Sequence, residues 1–279
     1  MKKIHLTRYA AVATVALLGS TAAWAASGTG WSTSGSTLTL QSGENEAVSI
    51  TSSNVTGIGS IDKIVVQRAG NTATYSTLML PATVKPTESE QIEAAYFPTG
   101  YNPSTTTLDM QSTDEIQANK PYLVKVSGSP SSFEFNNVSG YTVQETGTAT
   151  HSFTLSAACW DFKGVYEKIY WGYGPGNVYG YDAADGQFVK AGDDVTIYPM
   201  RAYLTCDNGL GKSTAEEELP EVIKVRFFGK SGETVSIGTM NTRTGDIQMQ
   251  DRYYDLKGRK LNGKPQNKIM YVNKKVIKH

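Results

Sequence analysis

The chain has 279 residues, 39% hydrophobic and 19% charged, which is enough apolar material for a packed core and argues against disorder throughout. Its 26 Lys and Arg balance 26 Asp and Glu, but unevenly. Residues 1–25 carry three bases and no acid, residues 251–279 carry nine bases and two acids, and residues 26–250 carry 14 bases against 24 acids. A body with this acidic excess repels a phosphate backbone, so no nucleic-acid partner is expected. His151 is the one histidine away from the chain ends, which weighs against a metal centre and against histidine-dependent catalysis.

The first segment reads as an address. Lys2, Lys3 and Arg8 give a basic start, Tyr9–Gly19 a short apolar run, and Ala23-Trp24-Ala25 the small residues of a peptidase site, with cleavage expected after Ala25. Residues 1–25 are therefore expected to be a signal peptide, and the protein to be exported to the cell surface or the medium. No later stretch reaches the roughly 18 apolar residues of a spanning helix, so no transmembrane segment is expected in the mature chain. Export makes the two cysteines, Cys159 and Cys206, a candidate disulfide. The alternative is two separate buried thiols.

Short β-rich runs follow one another from the start of the body: Thr37–Leu40, Ala47–Thr51, Lys63–Gln67, Thr74–Leu80, Pro121–Val126 and Ser132–Phe135. Thr87-Glu88-Ser89-Glu90 ahead of Ile92 and Tyr96 suggests a capping box and about two helical turns. The second part continues with Ser152–Leu155, Cys159–Phe162, Lys168–Trp171, Val178–Tyr181, Gln187–Lys190, Val195–Ile197 and Arg201–Thr205. Asp185-Gly186 and Asn208-Gly209 are tight-turn dipeptides, and Ser213–Glu216 is a second capping box that Pro220 cuts short. The expected architecture is all-β, a β-sandwich body over 26–210. Lys120-Pro121-Tyr122-Leu123 is echoed by Arg201-Ala202-Tyr203-Leu204. Two related units, 27–145 and 146–210, would explain the echo, and so would chance in a Tyr-rich β protein. Residues 211–250 read as a polar joining segment in which Val222–Phe228 is a strand.

The stretch Ile116–Lys125, preceded by Tyr75–Pro81 and followed by Pro199–Leu204, resembles the "KPYLVK"-type β modules of secreted bacterial proteins. That resemblance implies an extracellular sandwich without assigned chemistry. In the tail, Tyr254-Asp255-Leu256-Lys257-Gly258-Arg259-Lys260-Leu261, then Met270-Tyr271-Val272 and Lys274-Lys275-Val276, is similar to the C-terminal sorting domain of the type IX secretion system. It departs from that pattern where Ile269 stands in place of a glycine and where Asn273 is followed directly by Lys274. The resemblance implies that residues 251–279 form a small β tail that docks on outer-membrane secretion machinery and is commonly removed afterwards.

Chemistry is sparsely marked. Eleven aromatics fall within residues 160–203, against 10% for the chain. Among them Trp160, Trp171, Tyr173, Tyr179 and Tyr181 are candidates for stacking on the apolar faces of sugar rings, with Trp171, Tyr173 and Tyr179 flanking Gly174-Pro175-Gly176. The competing reading is that they form sandwich core and cross-strand pairs. Asp161, Glu167, Asp182, Asp185, Asp193 and Asp194 offer carboxylates, but they lack calcium-loop spacing, and no nucleophile or phosphate-loop context accompanies them. The sequence thus points to a noncatalytic surface protein binding polysaccharide or another surface component, with no cofactor. A small carbohydrate-active enzyme and a structural cell-surface subunit are the alternatives.

Overall fold

The computed structural model describes residues 25–42, 47–68, 74–137, 142–147, 151–155, 159–206 and 219–231, together with the backbone of short strands between 234 and 278. The chain opens with an antiparallel meander of β1 (Ser27–Gly28), β2 (Trp31–Ser34) and β3 (Thr37–Ser42). In β3, Leu38 and Leu40 are buried while Thr37 and Thr39 are half-buried, the period-two pattern of a strand with one face on a core. Ala47–Thr51 is not a strand. Ala47 makes one isolated bridge to Glu167, and Val48 and Ile50 are buried without a ladder. Thr51 instead caps α1 (Ser52–Ile58): its hydroxyl accepts the Asn54 N–H while Asn54 Oδ1 accepts the Thr51 N–H at 3.0 Å. That helix is the crossover that lets β4 (Lys63–Arg68) run parallel to β3.

Next come β5 (Tyr75–Leu78), a single 3-10 turn at Pro86–Glu88, β6 (Ile92–Asn102), β7 (Thr107–Thr113), β8 (Tyr122–Val126) and β9 (Ser132–Asn136). The two helical turns expected after Thr87 are replaced by that one turn, in which Glu88 Oε2 accepts the Lys85 N–H at 2.8 Å. Ile92 and Tyr96 lie on β6 because long-range pairing with β7 and β8 outweighs a local cap. β9 completes a five-stranded sheet in the order β1-β2-β3-β4-β9.

The remaining strands of the body are β10 (His151–Thr154), β11 (Trp160–Val165), β12 (Ile169–Trp171), β13 (Val178–Asp182), β14 (Gln187–Lys190), β15 (Val195–Ile197), β16 (Arg201–Cys206), β17 (Val222–Phe228) and β18 (Thr234–Ser236). β12 and β15 form a separate two-stranded ribbon. The others join β5–β8 in one long sheet, β10-β11-β16-β13-β14-β17-β7-β6-β8-β5, with β18 beside β17. β17 links its two halves, antiparallel to β14 and parallel to β7. The sheet curls until β5 lies against the start of β16, where the Ala202 N–H donates to Thr77 Oγ1 at 3.0 Å and the Met79 N–H to the Met200 carbonyl at 3.1 Å.

Two large cores and a small third one around Val165, Val178 and Tyr203 follow from this shape. Trp31, Leu38, Ile64, Val66 and Phe133 of the five-stranded sheet pack on Leu78, Tyr122 and Val124 of the long one. Leu123 points the other way, into the curl, with Leu108, Met110, Phe162, Phe188, Leu204 and Ile223. In the echoed motifs Leu123 and Leu204 thus share one core while Tyr122 and Tyr203 belong to others. Cys159 and Cys206 form a disulfide across β11 and β16, with a Cα separation of 4.7 Å. The architecture is all-β and sandwich-like, as the sequence predicts. Among the described residues no helix is long and apolar enough to cross a membrane.

Beyond the body, β19 (Gly238–Met240) pairs with β20 (Ile247–Met249). β21 (Tyr253–Tyr254), β22 (Ile269–Val272) and β23 (Lys275–Lys278) form an antiparallel sheet that aligns Tyr254 with Tyr271 and Val272 with Lys275. Asn208-Gly209, Ser213–Glu216 and the tail residues Asp255, Leu256, Gly258, Arg259 and Leu261 lie outside the described residues.

Candidate functional site

The five aromatic candidates separate by burial. Trp160 and Tyr179 are core residues, 2% and 0% exposed, and neither presents a face to a ligand. Trp160 packs on Tyr101 and Tyr179 at ring separations of 5.1 and 5.2 Å, and the Tyr179 hydroxyl donates to the Pro220 carbonyl at 2.6 Å. Strand alternation points both into the curl, which the sequence alone does not locate. Trp171 is half-buried, edge-on to Tyr203 at 5.5 Å. Tyr173 is 86% exposed, in the loop between β12 and β13. Tyr181 is half-buried against Phe188, 5.2 Å away.

Tyr181 borders a cleft of about 380 Å³ whose origin is visible in the strand register. β13 pairs with β16 only through Val178 and Tyr179, opposite Thr205 and Leu204. From Gly180 onward β13 diverges from β16, and β5 lies across the gap. The cleft is therefore lined by Tyr75, Ser76 and Thr77 of β5, by Gly180 and Tyr181 of β13, by Arg201 of β16, and by Thr196 and Tyr198 from the ribbon side. Thr196 also borders a broader depression of about 700 Å³ with Glu167, Lys168 and Tyr170. The β12–β15 ribbon, in which Tyr170 pairs with Thr196, is the ridge between the two. Tyr170 and Tyr198 are 59% and 37% exposed on that ridge. Tyr75, Tyr170, Tyr198 and Arg201 were not among the sequence candidates. The aromatic count included Tyr170 and Tyr198, but a single arginine opening a strand carries no local signal.

The backbone that aims Arg201 is unusual. Met200 has a left-handed φ of 60° and no exposed surface. Such a conformation is costly for a long side chain and persists where its surroundings fix it. Here the Met200 N–H donates to the Val165 carbonyl at 2.7 Å, and its own carbonyl accepts from Met79 N–H at 3.1 Å and Arg68 Nη2 at 2.9 Å. Ser42 Oγ holds the preceding Pro199 carbonyl at 2.6 Å. Burial dominates the titration of the cleft groups: it raises the Tyr75 and Tyr181 pKa values well above the usual phenol range and lowers that of Arg201, which the Tyr198 phenol partly offsets.

Carboxylates named from the sequence serve turns and pairs. Asp182 Oδ1 accepts the Ala184 N–H at 2.9 Å, Asp193 Oδ1 accepts the Gly174 N–H at 2.8 Å, Asp194 accepts the Tyr170 hydroxyl, and Asp161 lies 3.8 Å from Lys163. Among the described residues no group of three or more His, Cys, Asp or Glu is placed to hold a metal ion. No protein-family model, no curated protein and no solved structure matches the chain. The cleft thus joins aromatic walls, hydroxyl tips and the Arg201 guanidinium.

Proposed function

We propose that the protein is an exported, noncatalytic surface protein that binds polysaccharide at the tyrosine-walled cleft and along the ribbon beside it. Residues 251–279 direct secretion or surface attachment through outer-membrane machinery. The observation that carries the binding reading is the grouping of Tyr75, Tyr181 and Tyr198 around one cleft, with Tyr170 and Tyr173 exposed close by in sequence on the ribbon and its following loop. A phenol ring offers an apolar face to sugar C–H groups and a hydroxyl to sugar oxygens, so it binds glycans at small entropic cost. The basic start, apolar run and Ala-Trp-Ala site at residues 1–25 support export, and the resemblance of residues 251–279 supports the route.

Retention of the mature chain on a panel of insoluble polysaccharides, with the supernatant assayed for released sugar, tests the binding. Retention without release is expected. Tyr173→Ala with Tyr198→Ala should reduce the bound fraction several-fold while leaving the thermal midpoint unchanged. Undiminished retention by that double variant sinks the assignment of the site, and release of reducing ends would make the protein an enzyme.

A further inference from the structure

The cleft carries more positive charge than glycan stacking requires. Arg68, 1% exposed, stands behind Ser76 and Thr77. Its Nη1 donates to Ser76 Oγ at 2.7 Å, and its Nη2 to the carbonyls of Thr77 and Met200 at 2.7 and 2.9 Å. The ring of Phe133 lies 5.1 Å from its Cζ. Every one of those partners is neutral, and Arg68 Nε has none. Arg201, on the cleft wall, is close enough for its charge to lower the Arg68 pKa further, after burial itself. Its Nε is also buried without a partner, as is the hydroxyl of Tyr181 on the facing strand. Among the described residues no carboxylate forms an ion pair with either guanidinium, although Asp109 pairs bidentately with Arg226 at 2.7–2.8 Å elsewhere in the long sheet.

Buried polar groups are almost always satisfied, and buried charges are almost always paired. Arg201 lines the cleft without an acidic partner and Arg68 stands buried behind Ser76 and Thr77, so the charge at the cleft calls for an anionic acceptor that the chain does not supply. A carboxylate fits a guanidinium in two parallel hydrogen bonds, stronger than neutral ones and geometrically selective. Of the nearby carboxylates, Asp182 and Glu93 act on Tyr181 and Tyr75 behind burial but neither lines the cleft, and acids beyond about 8 Å are screened at physiological ionic strength.

We propose that the cleft selects acidic glycans, seating a uronate carboxylate on Arg201 with the sugar ring against the tyrosine walls. This rests on the polysaccharide-binding reading and specifies its ligand. The test is calorimetric titration of the mature chain with oligomers of galacturonate, glucuronate and mannuronate–guluronate, each paired with its carboxyl-reduced neutral counterpart. At least one acidic oligomer should bind ten-fold or more tightly than its neutral partner. Arg201→Gln should bring the acidic oligomer down to the level of its neutral partner, and Arg201→Lys should restore part of the difference. A Cβ at Gly180 meets nothing within 4 Å, so Gly180→Phe fills open space at the cleft and should weaken both. Equal affinity for acidic and neutral partners overturns the inference, and so does an Arg201→Gln protein that still discriminates. Should Arg201→Gln fail to fold, the acidic–neutral comparison on the unaltered chain decides. Binding of neutral glycans without any uronate removes this inference and leaves the broader reading intact. Binding of neither removes both.

Discussion

At single positions the fold spends polar hydroxyls on the core, and that sets its response to alkali. Tyr179 is fully buried, and burial, with the Glu221 charge second, pushes its pKa from 10.0 up to about 12; Tyr166, buried and donating to Asn119 Oδ1 at 2.7 Å, is also raised by burial. A phenol whose folded pKa exceeds its unfolded value contributes stability that is complete below about pH 10 and is lost as pH rises toward the folded value. Phenolate absorbance should therefore show a first group of exposed tyrosines and a later, cooperative phase between about pH 10 and 12 that coincides with loss of β-sheet circular dichroism. A single smooth titration in folded protein would contradict this. Single residues are also where the sequence was least informative. Trp160 and Tyr173 look alike on the chain, yet one is 2% exposed and the other 86%. The difference arises because the inside of a curled sheet depends on which strand lies opposite, a property of distant residues.

Among the strands, the short alternating ones were readable to the residue. Gln187–Lys190, Val195–Ile197 and Val222–Phe228 form as their patterns predict, because each alternates or is β-branched and lies between turn residues. The longest strand, β6, was missed. The capping box at Thr87-Glu88-Ser89-Glu90 points to helical turns there, whereas Ile92–Asn102 runs as one strand through a register shift between Pro98 and Gly100, opposite Met110 and Asp109. Two adjacent strands also carry close constraints. Gly164 of β11 stands where a Cβ would fall 2.3 Å from Met79 Sδ, and Met79 is fully buried. Gly164→Ala should cost about 1–3 kcal/mol, measured by denaturant unfolding. The Cys159–Cys206 bond closes a sequence separation of 47 residues, to which chain entropy assigns roughly 4 kcal/mol. Replacing both cysteines by serine should lower stability by an amount of that order, and an unchanged midpoint would show that the unfolded chain is not constrained by the bond.

For the molecule as a whole, the informative strand is β17. It stands between β14 and β7, with Phe188 opposite Ile223 on one side and Lys224–Phe228 beside Thr107–Gln111 on the other, reinforced by the Asp109–Arg226 pair. A chain ending at residue 210 lacks it, while one ending at residue 231 keeps it. The shorter chain should lose cooperative unfolding and bind a hydrophobic dye; the longer one should retain a sharp transition. Equal behaviour of the two would mean that the halves of the long sheet do not depend on their shared strand.

That same strand fixes an order of events during synthesis. Arg226 meets Asp109 across 117 residues, so β17 emerges long after β7, though soon after β14. Until then both carry unsatisfied ladder edges, the arrangement that invites pairing with another chain. Contacts so distant are slow to form, because a large loop must close before any ladder bond rewards it. The nascent protein thus passes through an interval in which its middle is sticky and its last strand is the cure, and the yield of folded molecules depends on how long that interval lasts.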